Sequence, residues 1–318
     1  MEKAMKTSVS TLALVAALAL PGAAFAQEKN VKIGVLDDMS GLYADVGGQG
    51  SILAAQIAIE DSGMVAKGWK IDLISADHQN KPDVGVNIAR QWADQEKVDG
   101  IFGVLTSSVA LAVNGVAKEK NLVYMNSGAA TSDLTNSACS PNTVHWTYDT
   151  YLLANGTGKA VVKSGGDSWF FLTADYAFGH ALERDTTEVV KANNGKILGS
   201  VRHPLNSSDF SSFLLQAQAS KAKIIGLANA GGDTTNSIKQ ASEFGITSGG
   251  QKLAALLLFA SDVHSLGLKM TQGLQFTETF YWDLNEGTRA FSKRFSDRMK
   301  NKNQPTMVQA GIYASIIH

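Results

Sequence analysis

The sequence predicts an α/β protein of two doubly wound parallel-sheet lobes joined by short hinge strands, with the first lobe truncated at its C-terminal end. Three observations predict it. Short apolar strand patterns alternate with amphipathic helix patterns almost without interruption, the alternation runs twice in the same order, and two extended passages sit where the chain would cross between lobes. Such alternation implies right-handed βαβ units on a parallel sheet.

In order, the first series has strand patterns at 31–36, 71–76, 100–105 and 122–126, each short, β-branched or apolar and bounded by polar residues or glycine. Helix patterns lie between them: 50–61 with Ile52, Ala55 and Ile59 on one stripe, 82–95 with Val84, Ile88 and Trp92, and 109–120 with Leu111, Val116 and Ala117. The second series has strands at 169–173, 196–201, 224–228 and 252–259, with helices near 178–193, 210–222 and 233–244. The extended passages are 143–149, opening into a helix near Thr150, and 273–282, followed by a helix over 286–300. No proline-rich or serine-rich linker separates the series, so short strands acting as hinges are expected. A last helix over 307–318, apolar at Ala310, Ile312, Tyr313 and Ile316, stops without a C-terminal cap, which predicts a truncated fragment.

The N-terminus predicts export. Lys3 and Lys6 precede an apolar run over 12–20, Pro21-Gly22 breaks it, and Ala24-Phe25-Ala26 offers small residues for cleavage. The run is too short to span a bilayer, and no later segment is long enough. No cysteine marks a lipid-anchor site there, so a free periplasmic protein starting near Gln27 is expected. The division that follows is a signal peptide over 1–26, lobe 1 from 27–146 and 281–318, and lobe 2 from 147–280.

Losing Lys3, Lys6 and Glu2 takes the formal charge from −1 to −2, which makes nucleic acid an unsuitable partner. Cys139 is the only cysteine, which excludes an internal disulfide and any cysteine-built zinc site. An odd cysteine in an exported chain predicts a partner cysteine in a missing tail.

The chemistry concentrates in two turns. Gly103-Val104-Leu105-Thr106-Ser107-Ser108 and Asn126-Ser127-Gly128-Ala129-Ala130-Thr131 each run a strand into a cluster of small hydroxyl residues. A helix that begins there offers free backbone N–H groups, and small side chains let an anion approach them. Two such turns from neighbouring strands would converge on one carboxylate. Serine and threonine are also ordinary helix N-caps, so both readings stand for each turn alone.

Enzyme signatures are missing. His78, His145, His180, His203, His264 and His318 are scattered with no H-E-x-x-H pair, and neither a G-x-S-x-G elbow nor a Walker A loop occurs. No G-x-G-x-x-G follows the first strand, which argues against a dinucleotide. No metal, cofactor or catalytic role is expected.

Val31-Lys32-Ile33-Gly34-Val35-Leu36 with Met39-Ser40-Gly41, Asp77-His78-Gln79, the two hydroxyl turns with Leu134-Thr135, and Asp175-Tyr176-Ala177-Phe178-Gly179 resemble the leucine/isoleucine/valine-binding protein family. These are type I periplasmic binding proteins of ABC transporters, and the resemblance covers essentially the whole mature chain. It implies that Ser107 and Thr131 receive a ligand carboxylate, that the Ala129 carbonyl orients the ligand's polar head, and that Tyr176 and Phe178 close over it from the second lobe. Tyr43, Ser108 and Ala130 complete the implied set. Core packing is the other reading of Tyr176 and Phe178.

The family commonly places an acidic residue after a second-lobe strand to pair with an α-ammonium. Here Asp262 and Asp233 are the candidates, and each also suits a helix N-cap, which we favour for Asp262. A pocket with carboxylate donors, aromatic walls and few anions suits an organic acid, an aromatic one included. The expected function is a monomeric substrate-binding component that closes on a small carboxylate-bearing ligand and delivers it to an inner-membrane ABC permease. A receptor's ligand-sensing module and an exported hydrolase are the alternatives.

Overall fold

The computed structural model describes residues 29–318, so the expected signal peptide lies outside the described residues. Strands β1 (Asn30–Asp37), β2 (Lys70–Asp77), β3 (Gly100–Gly103), β4 (Val123–Asn126) and β5 (Thr143–His145) form one sheet in the order β2-β1-β3-β4-β5. Strands β6 (Ser168–Ala174), β7 (Lys196–His203), β8 (Ile224–Ala228) and β9 (Lys252–Ala255) form a second, in the order β7-β6-β8-β9. Every pairing in both sheets is parallel. The two lobes expected from the repeated alternation are therefore present, and each sheet reverses its strand order beside its first strand.

Helices α1 (Gly48–Asp61), α2 (Pro82–Gln91) and α3 (Ser107–Lys120) make the crossovers of the first sheet. After β5 come α4 (Thr150–Leu153) and α5 (Lys159–Lys163), and α6 (Ala177–Ala192), α7 (Ser211–Ala219) and α8 (Gly232–Glu243) serve the second sheet. The short helices α9 (Ala260–Leu266) and α10 (Leu268–Thr271) follow β9, and α11 (Glu286–Arg298) and α12 (Met307–Ile317) bring the chain back to α1.

Central strands explain their own composition. In β1 the run Ile33–Asp37 is buried, as expected where helices cover both faces of a parallel sheet. The edge strand β7 instead alternates exposed and covered residues along most of its length.

Three readings of the sequence need correction. The buried residues of α1 include Leu53, Ala54, Ile57 and Ala58, with Ile52 and Ile59 only half-buried. The helix is covered on two sides, by the sheet and by α11 and α12, so a single stripe does not describe it. The helix pattern over 82–95 breaks at Gln91 into a wider π turn at Trp92–Glu96 that buries Trp92. The passage 273–282 forms no strand. Its alternation arises from lying on the second lobe, where Leu274 and Phe276 pack on one core and Phe280 on another.

One cluster of buried side chains runs through both lobes, joining Tyr43, Val46, Leu105, Ala130 and Tyr148 to Trp169, Phe171, Phe178, Leu257 and Phe259. The functional question centres there.

Candidate functional site

Ligands of doubly wound sheets bind beyond the carboxyl ends of strands, where the strand order reverses. Here the ends of β1, β3 and β4 face the ends of β6, β8 and β9. Each loop is held by its own local chemistry.

After β1, Asp38 is fully buried and accepts hydrogen bonds from the backbone N–H of Gly41 (2.7 Å) and Tyr43 (2.8 Å) and from Asn80 Nδ2 (2.5 Å). Those bonds fold the loop back and set Tyr43 into the cleft. Asp37, also fully buried, accepts from Ser51 Oγ at 2.6 Å and from the backbone N–H of Leu105 at 3.3 Å, tying this loop to the next. Burial pushes the Asp37 carboxyl up to about 7, against partial opposition from those hydrogen bonds.

The loop after β3 turns through Val104 at φ +62°, a left-handed conformation that costs a β-branched residue energy. The Val104 N–H bond to the Leu36 carbonyl (2.7 Å) holds it there. The turn delivers Ser107, 1% exposed, to the first position of α3. Its Oγ accepts the backbone N–H of Thr131 at 3.2 Å, so the two hydroxyl turns do converge.

The loop after β4 is closed by Asn126, whose Nδ2 donates to the Ala129 carbonyl (2.7 Å) and whose Oδ1 accepts the Ala129 N–H (3.2 Å). Tyr148 donates its hydroxyl to the Gly128 carbonyl at 3.0 Å. From the second lobe, Tyr176 and Phe178 stand at the β6–α6 junction. Gly179 permits that junction, because a Cβ there would lie 2.0 Å from the Ala174 carbonyl oxygen. Tyr43 and Tyr176 meet hydroxyl to hydroxyl across the cleft at 2.6 Å, and burial raises the pKa of both phenols, keeping them protonated.

Between these loops lies a cavity lined by Tyr43, Val46, Leu105, Ser107, Gly128, Ala130, Tyr148, Tyr176, Phe178, Ala230, Leu257 and Phe259. Its volume is about 20 Å³, on a scale where a single water needs about 10–15 Å³. A ligand the size of an amino acid enters only if the lobes part. Gly231 marks the seam, since a Cβ there, at φ +57°, would come within 3.1 Å of the Tyr43 ring.

Of the residues singled out in the sequence, Tyr43, Ser107, Ala130, Tyr176 and Phe178 line the cavity. Four do not. Ser108 is half-buried on the second position of α3. The Ala129 carbonyl lies outside the lining and accepts Asn126 Nδ2 within its own turn. The Thr131 hydroxyl accepts from the Asp133 N–H at 3.4 Å and caps the turn Ser132–Thr135, leaving its backbone N–H on Ser107. Asp262 closes a capping box on α9 by accepting the Phe259 N–H at 3.0 Å, and Asp233 holds the N–H groups of Asn206 (3.0 Å) and Ser207 (2.9 Å). Burial raises both carboxyls to about 6.

Sequence reasoning missed Tyr148 and Phe259. Phe259 ends the stretch after β9, where an acidic residue was sought, and position at a strand's carboxyl end was the available signal. No lining side chain carries a charge. Among the described residues no group of three His, Cys, Asp or Glu is placed to hold a metal ion, and no helix is long and apolar enough to cross a membrane.

The family described as periplasmic binding protein matches residues 30–318. The chain belongs to that family. A periplasmic binding protein from Burkholderia mallei is similar at 55% identity and a TM-score of 0.88, over 91% of this chain and 76% of its own. A branched-chain amino acid ABC transporter periplasmic ligand-binding protein from Burkholderia xenovorans LB400 is similar at 39% identity and a TM-score of 0.78, over 90% of this chain and 76% of its own. The fold is shared with an ABC transporter solute-binding protein from R. palustris in complex with benzoate, at 21% identity and a TM-score of 0.80, over 90% of this chain and 78% of its own. Membership of the leucine/isoleucine/valine-binding branch, expected from the sequence, holds.

Proposed function

We propose that this periplasmic binding protein captures a small aromatic carboxylic acid between its lobes and presents it to an inner-membrane ABC permease. The observation that carries the reading is the lining itself: five aromatic rings, one serine hydroxyl at a helix N-terminus and no charged side chain. The carboxylate is received by the Ser107 hydroxyl and by the first-turn N–H groups of α3, which have no intrahelical acceptor. Such donors hold an anion without a buried lysine or arginine. An α-amino acid would also bring an ammonium group, and burying it without a partner costs several kcal/mol. Asp233 and Asp262 are committed to backbone N–H groups, and Phe259 occupies the wall instead. The benzoate-bound structure of shared fold supports the same ligand class.

Capture works by closure. The ligand docks on the first lobe at 105–107 and 128–130, and rotation of the second lobe brings Tyr176, Phe178 and Phe259 over its ring. Water leaves, each hydrogen bond strengthens, and the closed pair of lobe surfaces signals occupancy to the permease by population shift. Lobe boundaries at 146/147 and 280/281, release into the periplasm after cleavage near Ala26, a monomeric state and the absence of catalysis belong to the same reading.

Competition calorimetry between leucine and benzoate tests it. Benzoate is expected to bind and leucine to fail to displace it. Binding of leucine alone overturns the aromatic-acid reading.

A further inference from the structure

We propose that Asp185 and Arg184, on the second lobe's helix α6, are positioning residues for the first lobe's carboxylate turn. The inference rests on the reading of that turn and Ser107 as the carboxylate seat.

The hydrogen bonds run in one consistent sense. Ser132, which follows Thr131 and is 3% exposed, donates its hydroxyl to Asp185 Oδ2 at 2.8 Å and accepts Arg184 Nη2 at 2.8 Å. Its backbone N–H donates to Thr150 Oγ1 at 3.1 Å, and the Thr150 hydroxyl donates in turn to Asp185 Oδ2 at 2.5 Å. The Thr150 N–H donates to the Ala130 carbonyl at 2.8 Å. Arg184 completes the set, with Nε on Asp185 Oδ1 (2.9 Å) and Nη1 on Asp133 Oδ1 (3.0 Å).

Residues 130, 132 and 133 are thereby fastened to α6 and to the start of α4, while Thr131 between them gives its N–H to Ser107. The seat is fixed from both sides. Asp185 also stands seven residues beyond Phe178 on the same helix, about two turns and roughly 10 Å along it. This helix therefore carries the aromatic wall at its N-terminal end and the anchor of the carboxylate turn at its middle, so the anchored residues act as the pivot about which Phe178 swings toward the seat on closure. The Arg184 side chain is 45% exposed, whereas that of Asp185 is 9% exposed, so the larger effect belongs to Asp185.

The test uses the intact chain with Asp185→Ala, Asp185→Asn and Arg184→Met. Amide hydrogen exchange over 129–135 without ligand, and benzoate affinity by calorimetry, are the two readouts. In Asp185→Ala the 129–135 amides are expected to lose protection while the β6 and β8 amides keep theirs, and benzoate affinity to fall roughly tenfold. Asp185→Asn, which keeps an acceptor for the two hydroxyls, recovers part of both losses. Arg184→Met costs only a few-fold and serves if Asp185→Ala does not fold. Unchanged protection over 129–135 in a folded Asp185 variant overturns the proposal. Lost protection with unchanged affinity overturns it too, by removing the turn from the seat. If the unaltered chain ignores benzoate, the functional reading fails, and the exchange readout alone still decides whether Asp185 fastens the turn.

Discussion

The two lobes build their sides of the same cavity by different means. On the first, buried polar groups hold the loops: Asp37 and Asp38 at the end of β1, Asn126 at the end of β4, and Ser107 receiving Thr131. On the second, the face is built from Tyr176, Phe178, Leu257 and Phe259, with Ala230 and Gly231 keeping the β8 loop thin. Polar networks fix direction, because hydrogen bonds are lost within a few tenths of an ångström and tens of degrees. Ring surfaces fix shape and area, and they tolerate sliding. On the proposed function, the first lobe orients an anion and the second measures what is attached to it.

Breaking the first lobe's scaffold is expected to have the largest effect. Asp38→Ala leaves the N–H groups of Gly41 and Tyr43 without their acceptor and should lower stability by about 3 kcal/mol, read by denaturant unfolding. An unchanged midpoint would mean that the loop is not held by Asp38. Next comes Ser107→Ala, which removes a hydroxyl donor to the carboxylate and the acceptor of the Thr131 N–H, and should weaken benzoate binding by about 2 kcal/mol while lowering stability by about 1 kcal/mol. A loss of stability without a loss of affinity would reassign Ser107 to the scaffold alone.

The pH dependence sharpens the contrast, since Asp37 belongs only to the first lobe. Its folded value of about 7 stands above the ordinary 3.8 of an aspartate. The folded state thus keeps a proton that the unfolded chain has released, and stability falls as pH rises from about 4 to about 7, by at most roughly 1.4 kcal/mol per pH unit. Asp37→Asn should remove that contribution, so the variant gains on the unaltered protein as pH rises through this window. A constant difference would show that Asp37 is not the group responsible.

The smallest effect is expected across the seam. Tyr176→Phe deletes one hydroxyl of the pair with Tyr43 while keeping the ring, and should change benzoate affinity by about 1 kcal/mol or less. A change as large as that of Ser107→Ala would mean that the second lobe also orients the ligand, and the contrast drawn between the lobes would fail.

The fold was legible because parallel sheets impose buried apolar strands and amphipathic crossovers, and residues such as Val31–Leu36 and Ile224–Ala228 carry little else. Cavity-lining residues were legible where they combined a strand end with distinctive chemistry, as Ser107 and Tyr176 do. Phe259 stayed hidden because an apolar residue ending an apolar run looks like core until the opposite lobe is in place. The Ala129 carbonyl accepts from Asn126 three residues upstream, a bond that the turn's composition alone does not reveal. The passage 273–282 imitated a strand because one side of it lies on another element, which gives the same alternation as pairing.

The uncharged lining has a further consequence, in what the cavity turns away. With no fixed countercharge facing the ligand, a dicarboxylate would have to leave its second charge dry against rings and aliphatic carbons, a cost of several kcal/mol. Recognition made from neutral donors is also only weakly screened by dissolved ions. Uptake set by such a cavity would hold steady as external salinity changes, while more highly charged acids remain outside.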